Sequence, residues 1–165
     1  MRIIGIDPGL RKAGWGIIEL RGSSLKFIGC GLIRTRSEDE MARRLNTIDA
    51  ELFKIIETYT PNSAAIEETF VNTNPRSALK LGMARGVAIN AVSRNGLDVA
   101  EYSARVVKKA VAGTGTAQKA QVSMMVKRLL PQSGFQSEDE ADALAVCICH
   151  AHYCGSNNKI SVVGA

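Results

Sequence analysis

The chain has 165 residues, of which 45% are hydrophobic and 22% charged, a composition typical of a globular protein that excludes wholesale disorder. A chain of this length normally forms one domain with its own core. No segment approaches the roughly 20 apolar residues of a membrane-spanning helix, and Asp7 interrupts the first apolar run too early for a signal peptide. We therefore expect a cytoplasmic protein, in which disulfides are uncommon.

The net charge of +5 is distributed unevenly along the chain. Residues 1–75 hold ten basic and ten acidic side chains, whereas residues 76–128 hold ten basic and only two acidic ones, a net charge of +8. Residues 129–165 carry a net charge of −3. A basic segment of this kind favours a polyanionic partner such as nucleic acid, and a surface that merely keeps the protein soluble explains it equally well at this stage.

Three strands are predicted in the first 34 residues, at about 2–7, 13–20 and 25–34. Pro8-Gly9 has the composition of a turn and ends the first of them. Gly22-Ser23-Ser24 separates the second and third strands and predicts a hairpin loop.

Helices and short strands alternate through the rest of the chain. Apolar residues recur at helical spacing from Met41 to Tyr59, with Ser37 and Glu40 as a predicted capping box and Pro61 as a stop. The other predicted elements are strands at about 63–67 and 98–101, a helix that Asn74 caps and Pro75 begins, and helices at about 117–130 and 138–153. This order is typical of an α/β protein with a mixed sheet flanked by helices.

The last predicted helix contains a string of zinc-ligand residue types, Cys147, Cys149, His150, His152 and Cys154. Zinc ligands usually come from a turn or from two elements, so an uninterrupted helix favours small buried residues instead. No linker divides the chain. We therefore predict a single domain over residues 1–154 and a short, loosely held tail at 155–165.

Four carboxylates stand at chemically suggestive positions. Asp7 and Glu67 each end a predicted strand, and Asp139 and Asp142 lie three residues apart on one face of the last helix. Strand ends of an α/β sheet form clefts, and hard carboxylate oxygens favour Mg²⁺ or Mn²⁺. An Asp-Pro-Gly turn explains Asp7 alone, and the helix dipole explains Asp139 alone. The hypothesis of a shared metal site therefore depends on all four together.

The motifs around these carboxylates resemble the RuvC family of Holliday-junction resolvases. They are Gly-Ile-Asp-Pro-Gly at 5–9 with Gly14-Trp15-Gly16, Ala-Ile-Glu-Glu-Thr-Phe at 65–70, the run at 77–88, and Asp-Glu-Ala-Asp-Ala-Leu-Ala at 139–145. They occur in order, with similar spacing, over about the first 152 residues. Gly-Ile-Asp alone would be weak evidence for this family, because sugar kinases share it.

The resemblance implies a ribonuclease-H-like fold with a five-stranded mixed sheet, and a homodimer that nicks two strands of four-way junction DNA symmetrically. It implies an acidic tetrad of Asp7, Glu67, Asp139 and Asp142 that binds divalent metal, two Mg²⁺ or Mn²⁺ ions per active site. It further implies that Phe70 lies near the junction centre and that Lys108 and Lys119 are important lysines. The partner that it implies is a branch-migration complex of the RuvA and RuvB type.

The basic segment supplies the remaining candidate DNA contacts. Lys119 falls in the first turn of a predicted helix that Thr116 could cap, an arrangement that favours phosphate. The further candidates are Arg76, Lys80, Arg85, Arg105, Lys108 and Lys109. Gly82 and Gly86 allow a close approach, either to a symmetry mate or to the chain's own sheet.

Two other functions are compatible with parts of this pattern. Phosphotransferases of the actin-like fold also begin with Gly-Ile-Asp, although a second phosphate-binding loop is not found in this sequence. A DNA-binding module that has lost catalysis would account for the basic segment, and the four carboxylates count against it.

Overall fold

The computed structural model of the protein describes residues 1–68 and 74–160, and its centre is a five-stranded sheet. The strands, in the spatial order β3-β2-β1-β4-β5, are β1 (Arg2–Asp7), β2 (Lys12–Arg21), β3 (Ser24–Arg34), β4 (Ser63–Glu68) and β5 (Val99–Ser103). β1, β2 and β3 form an antiparallel meander, and β4 and β5 run parallel to β1. The predicted mixed α/β sheet is confirmed.

Five helices in the described residues cover the two faces of this sheet. They are α1 (Met41–Tyr59), α2 (Pro75–Arg94), α3 (Ala104–Ala112), α4 (Lys119–Leu129) and α5 (Glu138–Ile160). Ile4 and Ile6 of β1 pack in the apolar layer of α1 and α2, whereas Ile3 belongs to the layer of α3, α4 and α5, because neighbouring strand residues point to opposite faces. None of these helices is long and apolar enough to cross a membrane.

Three glycines let α5 lie directly on the sheet. A Cβ atom at Gly14 would be 2.0 Å from the Asp139 carbonyl oxygen, and one at Gly5 would be 2.4 Å from the Ala143 carbonyl oxygen. At Gly16 it would be 2.8 Å from the Leu144 side chain. Any larger residue would therefore push away the helix that carries Asp139 and Asp142.

One helix, α3, was not predicted. The Ser103 hydroxyl caps it by accepting from the Val106 N–H at 3.4 Å, and Gly113 ends it with φ of 81°. Its only buried residues are Val107 and Val111, too few for a clear helical periodicity. Packing against α4 and α5 stabilises this nine-residue element.

Two predicted caps are wrong. The residue before α1 is Glu40, which makes no side-chain capping bond, so Ser37 and Glu40 do not form a capping box. α4 begins after Gln118, which forms a capping box with Gln121, whereas Thr116 bonds to Thr114 instead. The cap that was predicted correctly is Asn74, whose side-chain oxygen accepts from the N–H groups of Arg76 and Ser77.

The last helix is longer than predicted, since α5 continues past residue 153 to Ile160. Gly155 has no left-handed backbone conformation that would end a helix, and no proline follows it. The boundary that we predicted between the domain and its tail therefore falls inside α5.

Candidate active site

Three of the four predicted carboxylates line one cavity of about 270 Å³ at the edge of the sheet. Asp7 ends β1 and Glu67 lies one residue before the end of β4, and these adjacent parallel strands bring the two carboxyl groups to the same edge. Asp142 reaches the cavity from the second turn of α5. The other lining residues are Ala104, Val107, Lys108, Lys119, Val122 and Ala145.

Asp139, the fourth carboxylate, borders the cavity without lining it. Its backbone packs against Gly14 of β2, which lies opposite Asp7 in the strand register. The charge of Asp139 is near enough to raise the pKa of both Asp7 and Asp142. The structure therefore gathers all four predicted acidic residues in one region, with Asp139 at its margin.

Burial and mutual repulsion raise the pKa values of Asp7, Glu67 and Asp142, the three carboxyl groups that line the cavity. Burial, followed by the charges of Glu67, Asp142 and Asp139, raises the pKa of Asp7 from 3.8 to about 8. Burial, followed by the charge of Asp142, raises the pKa of Glu67 from 4.5 to about 7. Burial also raises the pKa of Asp142. The site accumulates more negative charge than the protein alone neutralises, as functional sites often do.

Two lysines supply part of the missing positive charge. The Lys119 ammonium lies 3.2 Å from an Asp142 carboxylate oxygen and 3.6 Å from one of Glu138. The charge of Asp142 is the main reason that the pKa of Lys119 is raised. Lys108 also lines the cavity, and both lysines act to lower the pKa of Glu67. These cations compensate the carboxylates only partly, because the pKa values of Asp7 and Glu67 stay high.

The donor set fits a hard divalent cation by its chemistry. Oxygen ligands of this kind are those that Mg²⁺ and Mn²⁺ prefer, and a cation would relieve the repulsion that raises the pKa of Asp7. In the described parts of the chain, no three His, Cys, Asp or Glu side chains already stand close enough together to hold one ion.

The remaining candidate DNA contacts lie in different environments. Arg76, Lys80, Arg105 and Lys109 are exposed, whereas Arg85 forms an ion pair with Glu101 that holds α2 to β5. Phe70 lies outside the described residues.

The two glycines of α2 do not pack on the protein's own sheet. A Cβ atom at Gly82 or Gly86 would meet no described atom within 4 Å. The alternative that they allow a close approach to the sheet is therefore wrong. Leu79 and Met83 on the same helix are 62% and 39% exposed.

Glu138 and Glu140, two acidic residues of α5 outside the predicted tetrad, have partners of their own. One Glu140 carboxylate oxygen accepts from the N–H groups of Gln136 and Ser137 at 2.8 Å each, so Glu140 caps the helix. Glu138 pairs with Lys119. The Ser137–Glu140 spacing is a capping-box signal that sequence reasoning could have used.

Cys147, Cys149 and His150 of α5 pack inside the fold, whereas Cys154 is half-buried and His152 is exposed. Cys147 and Cys149 are fully buried, and the Cys147 thiol lies 3.2 Å from the Gly16 carbonyl oxygen. The ring of His150 bonds to the Ser63 hydroxyl at 2.7 Å and to the Tyr102 hydroxyl at 2.8 Å. These contacts fasten α5 to β4 and β5.

Comparison with known proteins identifies relatives along nearly the whole chain. The family model described as "Crossover junction endodeoxyribonuclease RuvC" matches residues 3–150. A protein of that name from Acidiphilium cryptum is 53% identical over 159 residues, which cover 96% of this chain and 95% of the relative. Another from Xanthobacter autotrophicus is 52% identical, over 94% of this chain and 92% of the relative.

Solved structures agree with these sequence matches. RuvC of T. thermophilus in complex with a Holliday junction substrate superimposes with a TM-score of 0.89 at 30% identity, over 95% of this chain and 96% of that one. The yeast mitochondrial Holliday junction resolvase has a TM-score of 0.67 at 14% identity, over 92% of this chain and 79% of that one. The second likeness is one of fold alone.

Proposed function

The chain belongs to the RuvC family of crossover junction endodeoxyribonucleases, and we propose that it resolves Holliday junctions by nicking two strands symmetrically with the help of divalent metal. The observation that carries this proposal is the convergence of Asp7, Glu67 and Asp142 on one cavity, with Asp139 at its margin. The raised pKa values of Asp7 and Glu67 mark a site that requires added positive charge. Substrate phosphates alone would be repelled.

Phosphodiester hydrolysis needs a nucleophilic water near neutral pH and stabilisation of the leaving oxygen, and two Mg²⁺ or Mn²⁺ ions supply both when bound. In our proposal Asp7, Glu67, Asp139 and Asp142 hold these ions. Asp7 has a central role, because the charges of the other three all act on it. As a DNA-processing enzyme the protein would work in the cytoplasm.

The lysines of the cavity have a second role in the same proposal. Lys108 and Lys119 present ammonium groups beside the carboxylates, where they would hold the phosphate that is to be cut. The exposed Arg76, Lys80 and Lys109 would bind neighbouring phosphates, while Arg85 would act through its ion pair with Glu101. From the family resemblance alone, we keep Phe70 as the residue near the junction centre and a branch-migration complex of the RuvA and RuvB type as partner.

A dimer formed through α2 would match the two-fold symmetry of a four-way junction. Leu79, Gly82, Met83 and Gly86 follow helical spacing for one face, and the space above both glycines is open. We expect Leu79→Glu to shift the sedimentation coefficient from that of a dimer to that of a monomer. Lys54→Glu on α1 is a control that should stay dimeric, and a wild-type monomer would contradict the proposal.

Cleavage of a synthetic four-way junction tests the central proposal. We expect paired symmetric nicks with Mg²⁺ or Mn²⁺ and none with EDTA, and Asp7→Asn should bind the junction without cutting it. Glu67→Gln should also lose cleavage, whereas Glu68→Gln, at the next strand position and outside the cavity lining, should retain it.

The same assay distinguishes the alternatives. Junction binding without cleavage under all metal conditions would indicate an inactive binding module. ATP hydrolysis without junction cleavage would indicate a phosphotransferase.

A further inference from the structure

Two basic side chains stand together at the edge of the sheet that carries the cavity. Lys12 begins β2 and lies opposite Arg34, the last residue of β3. Both are exposed, and neither forms an ion pair with any residue in the described ranges. They lie outside the basic segment at 76–128. We call Lys12 and Arg34 the strand-edge pair.

The strand register places this pair on the same face of the sheet as the carboxylates. Asp7 lies opposite Gly14, and a Cβ atom at Gly14 would point at Asp139 of α5. Lys12 is two residues from Gly14, so it shares that face, and directly opposed Arg34 shares it too. At a strand rise of about 3.4 Å per residue, the pair lies ~7 Å beyond the level of Asp7.

The backbone under the strand-edge pair is held firmly. The Thr35 N–H donates to the Arg11 carbonyl at 3.1 Å, which joins the ends of the two strands. The Arg44 guanidinium, only 8% exposed, donates to the Thr35 hydroxyl at 2.9 Å and to the Leu10 carbonyl at 3.2 Å. Ligand binding to this surface would therefore order the side chains alone, a lower entropic cost than ordering a loop.

We propose that Lys12 and Arg34 bind the phosphate backbone of the DNA on the β2–β3 side of the cavity. Lys108 and Lys119 lie on its other side, contributed by α3 and α4. Positive charge on both sides draws a polyanionic strand across a cavity whose carboxylates would otherwise repel it. This inference rests on the proposed nuclease function and adds a binding surface to it.

Backbone contacts of this kind should affect salt dependence and leave sequence preference unchanged. Each phosphate contact contributes about 0.9 to the slope of log affinity against log salt concentration. We therefore expect the double variant Lys12→Gln/Arg34→Gln to bind a four-way junction more weakly in EDTA, with a slope reduced by about 2. The reduction should be the same for junctions of different sequence.

The same two strands offer a matched control at their other end. Arg21→Gln/Lys26→Gln removes one arginine and one lysine from β2 and β3 at the opposite edge of the sheet, and its slope should equal that of the wild type. Lys12→Arg/Arg34→Lys preserves the charge and should retain the wild-type slope. Equal unfolding temperatures of the variants would show that the fold is kept.

The outcomes separate this inference from the proposed function. If the wild-type protein binds and cleaves the junction while Lys12→Gln/Arg34→Gln keeps its affinity and slope, the inference is overturned and the nuclease function stands. A wild-type protein that neither binds nor cleaves the junction refutes the proposed function itself.

Discussion

Replacing Asp7 with asparagine should make the metal-free protein less sensitive to rising pH. The pKa of Asp7 rises from 3.8 in the unfolded chain to about 8 in the folded protein, so the folded state retains a proton that the unfolded state has released. The free energy of unfolding of the wild type therefore falls as pH rises between these two values. An asparagine side chain at this position has no such proton, so the substitution removes this contribution.

The size of the effect follows from the two pKa values. One pKa unit corresponds to about 1.4 kcal/mol, and pH 7 lies some three units above 3.8. Keeping Asp7 protonated in the folded protein at pH 7 therefore lowers the free energy of unfolding by at most ~4 kcal/mol. Glu67 shares the repulsion, since its own pKa is about 7. We therefore expect the free energy of unfolding of Asp7→Asn, relative to that of the wild type, to rise by about 2–4 kcal/mol between pH 4 and pH 7.

Urea unfolding in EDTA at several pH values between 4 and 8.5 measures this difference. The pH slope is the decisive quantity, because a buried asparagine amide has its own pH-independent cost. The slopes of wild type and Asp7→Asn should differ by up to about 1.4 kcal/mol per pH unit. Glu57→Gln, at an exposed position of α1, should keep the wild-type slope. Equal slopes for wild type and Asp7→Asn would refute the electrostatic account of the site.

Two further variants test how the site is held and balanced. Gly14→Ala places a Cβ atom 2.0 Å from the Asp139 carbonyl oxygen, so the start of α5 must move by about 1 Å. We expect junction cleavage to be roughly 100-fold slower and the free energy of unfolding to be about 1–3 kcal/mol lower. Gly155→Ala near the far end of α5 should leave cleavage unchanged and should not lower stability, and normal cleavage by Gly14→Ala would contradict the reasoning. Lys119→Gln removes the cation 3.2 Å from Asp142. Because this cation competes with metal for the carboxylates, the variant should bind Mn²⁺ more tightly in calorimetry without DNA. Weaker or equal Mn²⁺ affinity would mean that the lysine does not compete with metal.

Local patterns were sufficient to predict most of the secondary structure. Apolar periodicity and turn residues located all five strands and four of the five helices in the described residues, including the Asn74 cap. The helix that they missed, α3, has two buried residues and depends on its neighbours for stability. The caps of α1 and α4 were also misjudged, because several polar residues before a helix compete and only the backbone path decides among them.

The candidate site could be predicted to a similar degree. Strand-end and helix-face arguments, together with the family resemblance, selected Asp7, Glu67, Asp139 and Asp142. They could not indicate that Asp139 borders the cavity while Asp142 lines it. That difference depends on the close packing of α5 against Gly14.

The sequence alone determines which charges the protein carries and their order along the chain. These charges include the carboxylates that end strands and the excess of +8 in residues 76–128. Residues 1–75 balance to zero in that count, yet the fold leaves Lys12 and Arg34 unpaired with any described acid and places them beside the cavity. It also pairs Arg85 with Glu101 and Lys119 with Asp142. These pairings follow from the folded arrangement alone, because the energy between two charges depends on their distance and burial and not on their separation along the chain.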